Sequence, residues 1–149
     1  MQIVIDTNAE MTGPLSNLEI GYNVFRVFTG VNLFFHGFTR VWAGIGPWAA
    51  TEAQTFADSM FPVALAHLFL QILPYFQVAL GALIALGLFT RVALLGGLTM
   101  FFCLLIGHLV RQNWAGAHIV MHYGMYYWIL FALLTLNRVS IDARRSVVA

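Results

Sequence analysis

With 149 residues, 60% of them hydrophobic and only 9% charged, the chain cannot cover itself with a soluble surface and reads as an integral membrane protein. That length holds one bundle and little else, and with no internal repeat, low-complexity tract or polar linker a single domain over 1–149 is expected. The net charge of +1 includes seven cations that are all Arg, and there is no nucleotide or phosphate motif, so no nucleic-acid partner is expected.

The segment 1–16 carries Asp6 and Glu10 without a basic residue and reads as a short acidic arm, not a secretory signal. Ser16-Asn17-Leu18-Glu19 has the form of a capping box and starts a first helix over about 17–42. Gly44, Gly46 and Pro47 break it, and Thr51 to Met60 reads as a loop with a short surface helix. A second helix spans about 62–89, with Pro62 in its first turn and Pro74 kinking it. Thr90-Arg91 turns the chain into a third helix, about 92–110. Residues 111–114 turn it into a fourth, about 115–137, ahead of a basic tail at 138–149. Each helix has roughly the 20 residues needed to span a hydrocarbon core of about 30 Å. The expected fold is therefore all-α, an integral membrane antiparallel four-helix bundle. Arg91, Arg138, Arg144 and Arg145 outnumber Arg40 and Arg111 at the other end, which places both termini in the cytoplasm. Trp42, Trp48 and Trp114 would form an outer aromatic belt, and Cys103 reads as core packing.

Antiparallel threading brings five histidines into the outer half of such a bundle. At about 1.5 Å per residue, His36, His67 and His122 lie roughly 8 to 10 Å below the outer boundary, with His108 and His118 shallower beside Arg111 and Arg40. Helical spacing puts His36 and Arg40 on one stripe of the first helix, His67, Gln71 and Gln77 on one of the second, and His118, His122 and Tyr126 on one of the fourth. Burying polar stripes in a bilayer requires them to meet, and ionisable groups there mark ligand sites or proton paths. Met121 and Met125 read as core. Arg26, two turns into the first helix, is expected to snorkel to water or pair with Glu19.

The run Arg26-x3-Gly30-x5-His36-Gly37-x2-Arg40 resembles the R-x3-G-x5-H-G-x2-K pattern of the DoxX family. Gly81, Gly87 to Arg91, His108 and Asn137-Arg138-Val139-Ser140-Ile141-Asp142 look like further members of it, so the resemblance covers about Arg26 to Asp142. That family includes DoxD-type membrane subunits of thiosulfate:quinone oxidoreductase and proteins that act as accessory or assembly partners. The resemblance implies a bacterial or archaeal cell-membrane protein working with other membrane or redox subunits. One departure is Gln77, where many DoxX-like chains carry a Glu; an amide cannot carry a proton through that position.

Three functions fit these residues. The first is a quinone site, in which His36 and His122 exchange protons and hydrogen bonds with a headgroup. There His67, His108, His118, Gln71 and Gln77 are further ligand-binding residues, Tyr126, Tyr123 and Phe35 form walls, and Arg40 and Arg111 at the mouth hold an anion such as a sulfur oxyanion. The second is haem or metal ligation by facing imidazoles. The third is a non-catalytic accessory or assembly subunit of a larger membrane complex.

Overall fold

The computed structural model describes residues 14–148, with side chains through 144. The acidic arm with Asp6 and Glu10 lies outside the described residues. Every regular element among them is helical: α1 (Asn17–Ala43), α2 (Ile45–Gln54), α3 (Val63–Leu86), α4 (Thr90–Val110), α5 (Trp114–Ala132), a 3-10 turn (Leu134–Leu136) and α6 (Ile141–Val148).

The expected capping box opens α1: Ser16 N–H donates to Glu19 Oε2 (2.7 Å) and Glu19 N–H donates to Ser16 Oγ (3.2 Å). Its inward face, Asn23, Arg26, Gly30, Leu33 and Gly37, packs along α3. Glycine is required there by contact. A Cβ on Gly81 would lie 2.3 Å from the Phe34 amide nitrogen, one on Gly30 2.4 Å from that of Ala85, and one on Gly37 2.4 Å from the Pro74 carbonyl. These two backbones touch, which residues without a side chain allow at those positions.

Gly44 (φ +92°) ends α1, and α2 restarts at once. Gly46 and Pro47, expected to be breakers, sit in its first turn, where amides have no intrahelical acceptor and a proline loses nothing. The short helix therefore lies at Ile45–Gln54, beginning six residues before the expected Thr51 to Met60 segment and ending within it. Helix α3 runs through Pro74 and stops at Leu86, three residues before its expected end, because Gly87 adopts a left-handed cap (φ +66°). Helix α5 likewise stops at Ala132 and not at 137: the expected end of that helix is a 3-10 turn, and α6 forms within the segment read as a basic tail.

That return builds a polar clasp at the end of the molecule holding the start of α1 and the α3–α4 turn. Asp142 accepts from the Phe89 and Thr90 amides (2.9 and 2.7 Å) and the Thr90 hydroxyl (2.8 Å), capping α4. Its own amide donates to the Gly87 carbonyl (3.0 Å). Asn23 donates to the Leu136 carbonyl and accepts from Val139 N–H. Arg26 does not reach water and does not pair with Glu19. It is 2% exposed and donates to the carbonyls of Ile84 (2.5 Å), Ala85 (2.8 Å) and Val139 (2.8 Å), while Glu19 pairs with Arg138 at 3.0 Å.

α3 and α4 are long and apolar enough to cross a membrane, with mean hydropathy 1.8 and 2.1. All four long helices were expected to pass that test. α1 has its apolar run interrupted by Glu19, Asn23, Arg26 and Arg40, and α5 is diluted by histidine, tyrosine and tryptophan. α1 packs most extensively on α3, and α4 on α5, with much thinner contact between the two pairs. A cavity fills that gap.

Candidate functional site

The cavity measures about 890 Å³ and is largely apolar. Phe25, Phe28, Leu33, Leu70 and Leu73 form one side, and Phe101, Val120, Tyr123 and Tyr126 the other. Phe101 stacks parallel to Tyr123, with ring centroids 5.6 Å apart, and meets Tyr127 edge-on at 4.9 Å, while Tyr126 meets Phe25 edge-on at 5.7 Å. Small residues make room for these rings, since a Cβ on Gly97 would lie 2.4 Å from the Tyr127 ring.

Polar groups collect at the end away from the clasp. His36 and Arg40, one turn apart on α1, both line the cavity there. Arg40 donates to Gln77 Oε1 (3.0 Å) and lies over the Trp48 ring at 4.4 Å. Across the mouth, Arg111 pairs with Glu52 (2.9 Å), donates to the Thr55 hydroxyl and covers the Phe56 ring at 4.6 Å. Through these contacts α2 is pinned over the opening. Arg111 Nη2 also meets His108 Nδ1 at 3.1 Å. A guanidinium can only donate, so His108 Nδ1 accepts and the ring proton of its neutral form sits on Nε2. Two valences remain open: the Tyr127 hydroxyl and Arg111 Nε are buried without a hydrogen-bond partner. An unmade bond of that kind costs about 1–3 kcal/mol.

Of the residues expected at one level, the structure gathers His36, Arg40, Gln77, His108, Arg111 and Tyr126 around this cavity. It does not gather His67, Gln71, His118 or His122. Ala66, Leu70, Leu73 and Gln77 form the inward stripe of α3, and His67 and Gln71 sit one residue, about 100°, past it, contacting each other at 3.4 Å. On α5 the inward stripe is Ala117, Val120, Tyr127 and Leu130, which leaves His118 and His122 on an exposed face, their rings 4.3 Å apart. Phe35, expected as a wall, is 53% exposed and off the cavity, and Cys103, expected in the core, is exposed and borders it.

Tyr127, Phe101 and Glu52 join the site without having been expected there, as does Trp48, which was expected only in the outer aromatic belt. The i,i+4 run of Tyr123 and Tyr127 opposite Gly97 was the available signal for the first two. Among the described residues no three His, Cys, Asp or Glu side chains gather where one metal ion could be held, so a three-imidazole centre has no geometry here.

No curated protein and no solved structure matches the chain. The DoxX family model matches residues 21–109, which take in Arg26, Gly30, His36, Gly37 and Arg40, the α3–α4 turn and His108. The chain therefore belongs to the DoxX family and is a membrane protein of the DoxX type.

Proposed function

We propose that the protein is an integral membrane four-helix bundle whose cavity takes the headgroup of a quinone-type redox lipid, as the quinone-interacting subunit of a membrane oxidoreductase. Its setting is a bacterial or archaeal cell membrane, with both termini in the cytoplasm and other membrane or redox subunits as partners. The membrane placement is supported by α3 and α4, of whose most apolar stretches only 33% and 28% is buried. Faces that apolar need a hydrocarbon solvent. The Arg91, Arg138 and Arg144 end, opposite Arg40 and Arg111, supports the orientation.

The observation that carries the ligand assignment is the cavity's polarity gradient. An aromatic and aliphatic trough, with the unpartnered Tyr127 hydroxyl in its wall, leads to a mouth holding an amide (Gln77) and two imidazoles (His36 and His108). A quinone presents two carbonyl acceptors on an apolar ring with an apolar tail, and this site offers donors at one end and hydrocarbon along the rest. Gln77 cannot titrate, so proton exchange falls to His36 and to His108, which stands in the role expected of His122.

Binding of a short-chain ubiquinone analogue to the detergent-purified protein, followed by tryptophan fluorescence, tests this. His36→Ala and Gln77→Ala should each weaken binding by about tenfold, the equivalent of one charge-assisted or buried hydrogen bond of about 1.4 kcal/mol. His122→Ala should leave it unchanged. Equal affinity in all four proteins overturns the proposal.

A further inference from the structure

Helix α5 carries a second cluster of donor atoms on the face turned away from the cavity. His118, Met121, His122 and Met125 follow one another at i, i+3, i+4 and i+7 and form one stripe. All four are exposed, the methionines at 60% and 47%, against their sequence reading as core. An imidazole facing lipid is expensive, so two of them stacked one turn apart on such a face require something to take up their lone pairs.

We propose that this stripe binds a soft monovalent d10 metal ion, copper(I) or its analogue silver(I). The first support is tautomeric. His122 Nδ1 lies 2.8 Å from the His118 carbonyl oxygen, which can only accept, so the proton is on Nδ1 and the Nε2 lone pair is free. A ring nitrogen anchored to a backbone carbonyl while the other faces outward is the arrangement that orients metal-binding histidines. The second is proximity. The two rings meet edge-on at 4.3 Å between centroids, so modest side-chain rotations bring both Nε2 atoms toward one ion, and the three rotatable bonds of each methionine let its thioether follow.

The third support is the donor set. Two thioethers and two neutral imidazoles, with no carboxylate in the stripe, suit copper(I) and offer little to hard divalent ions. A neutral ligand set leaves the bound ion with one positive charge, which costs less near a bilayer than two. His118 lies four residues into α5, about 6 Å from its start, so the ion can enter from the water side of that end. The site is separate from the cavity, whose lining includes neither histidine.

The test is titration of the full-length detergent-purified protein with copper(I) against a chromophoric copper(I) chelator, paired with X-ray absorption of the loaded protein. One equivalent should bind with both nitrogen and sulfur neighbours. The double variant His118→Ala/His122→Ala should lose at least about tenfold in affinity, whereas His67→Ala, an imidazole outside both sites, should lose none. Met121→Leu/Met125→Leu, which keeps the apolar face, should weaken copper(I) binding and remove the sulfur signal. Undiminished affinity in the double histidine variant, an equal loss in His67→Ala, or a nitrogen-only ion in the unaltered protein overturns the assignment.

Discussion

The two ends of this molecule bury the same kinds of side chain for opposite purposes. At the clasp, Arg26, Asn23 and Asp142 are bonded chiefly to backbone groups of other elements, and the Thr90 hydroxyl to the Asp142 and Asn137 side chains: Arg26 holds three carbonyls from α3 and the returning chain, Asp142 holds the Phe89 and Thr90 amides, and Arg26 Nε and Asn137 Oδ1 are the atoms there buried without a partner. At the cavity, Arg40 bonds to the Gln77 side chain and Arg111 to the side chains of Glu52, Thr55 and His108, while the Tyr127 hydroxyl has no hydrogen-bond partner. A polar group whose hydrogen bonds close on the backbone fixes a fold. One left with an open valence beside a cavity is available to a ligand. The family pattern is divided along the same line: Arg26, Gly30, Gly81, Gly87 to Arg91 and Asn137 to Asp142 belong to the clasp and the close helix contact, and His36, Arg40 and His108 to the cavity.

The contrast breaks most visibly at Arg26. Arg26→Met keeps an apolar stem but leaves the Ile84, Ala85 and Val139 carbonyls without their shared donor, and it should destabilise the protein by about 3 kcal/mol or more. Thermal unfolding in detergent measures it, and a loss under about 1 kcal/mol would show that the clasp is not what holds α1, α3 and the returning chain together. Next is Gly81→Ala, whose methyl would press on the Phe34 backbone, not on a movable side chain. α1 and α3 must then separate, at about 1–3 kcal/mol. Because that contact also positions His36 and Gln77, ligand affinity should fall with stability, and a variant that unfolds earlier yet binds normally would uncouple the two.

How much of this was legible in the residues follows from where the determining chemistry lies. The α1 cap, the Gly44 break and the four long helices are written locally, so Ser16, Glu19, Gly44 and Pro62 sit close to where the sequence puts them, whereas Gly87 ends α3 three residues before the expected boundary. The inward face of α5 is not local, because its histidines, tyrosines and apolar residues are spread around the helix and give no single preferred direction. Its orientation is set by fit to α4, with Tyr127 lying against Gly97, and this turned His118 and His122 outward despite their polarity. The same holds for the last segment. The stretch from Arg138 onward looks like a basic tail until the bare α4 amides at Phe89 and Thr90 are seen to need the Asp142 carboxylate.

Smaller effects sharpen the comparison on the cavity side. Tyr127→Phe removes a buried hydroxyl that has no partner and should stabilise the protein by about 1 kcal/mol, since the cost of desolvating the oxygen disappears. The same change should weaken quinone-analogue binding if that oxygen bonds the ligand. Stability up with affinity down is the signature of a group kept for a ligand, and a fall in stability would mean that the hydroxyl already has a structural role.

Glu52→Gln should be the mildest. The carboxylate is 38% exposed at its pair with Arg111, so the stability cost should stay within about 1 kcal/mol, and the melting temperature should barely move. The pair does, however, help tie α2 across the mouth, with Thr55 and the Arg40–Trp48 contact as the remaining ties. Weakening one tie by about 0.5–1 kcal/mol converts to a twofold to fivefold rise in the rate at which a bound quinone analogue leaves, with faster amide exchange confined to α2. High salt should erase the difference between the two proteins, because screening removes from the unaltered one what the substitution removes from the variant. An unchanged dissociation rate at low salt would show that α2 does not cover the path by which a ligand leaves.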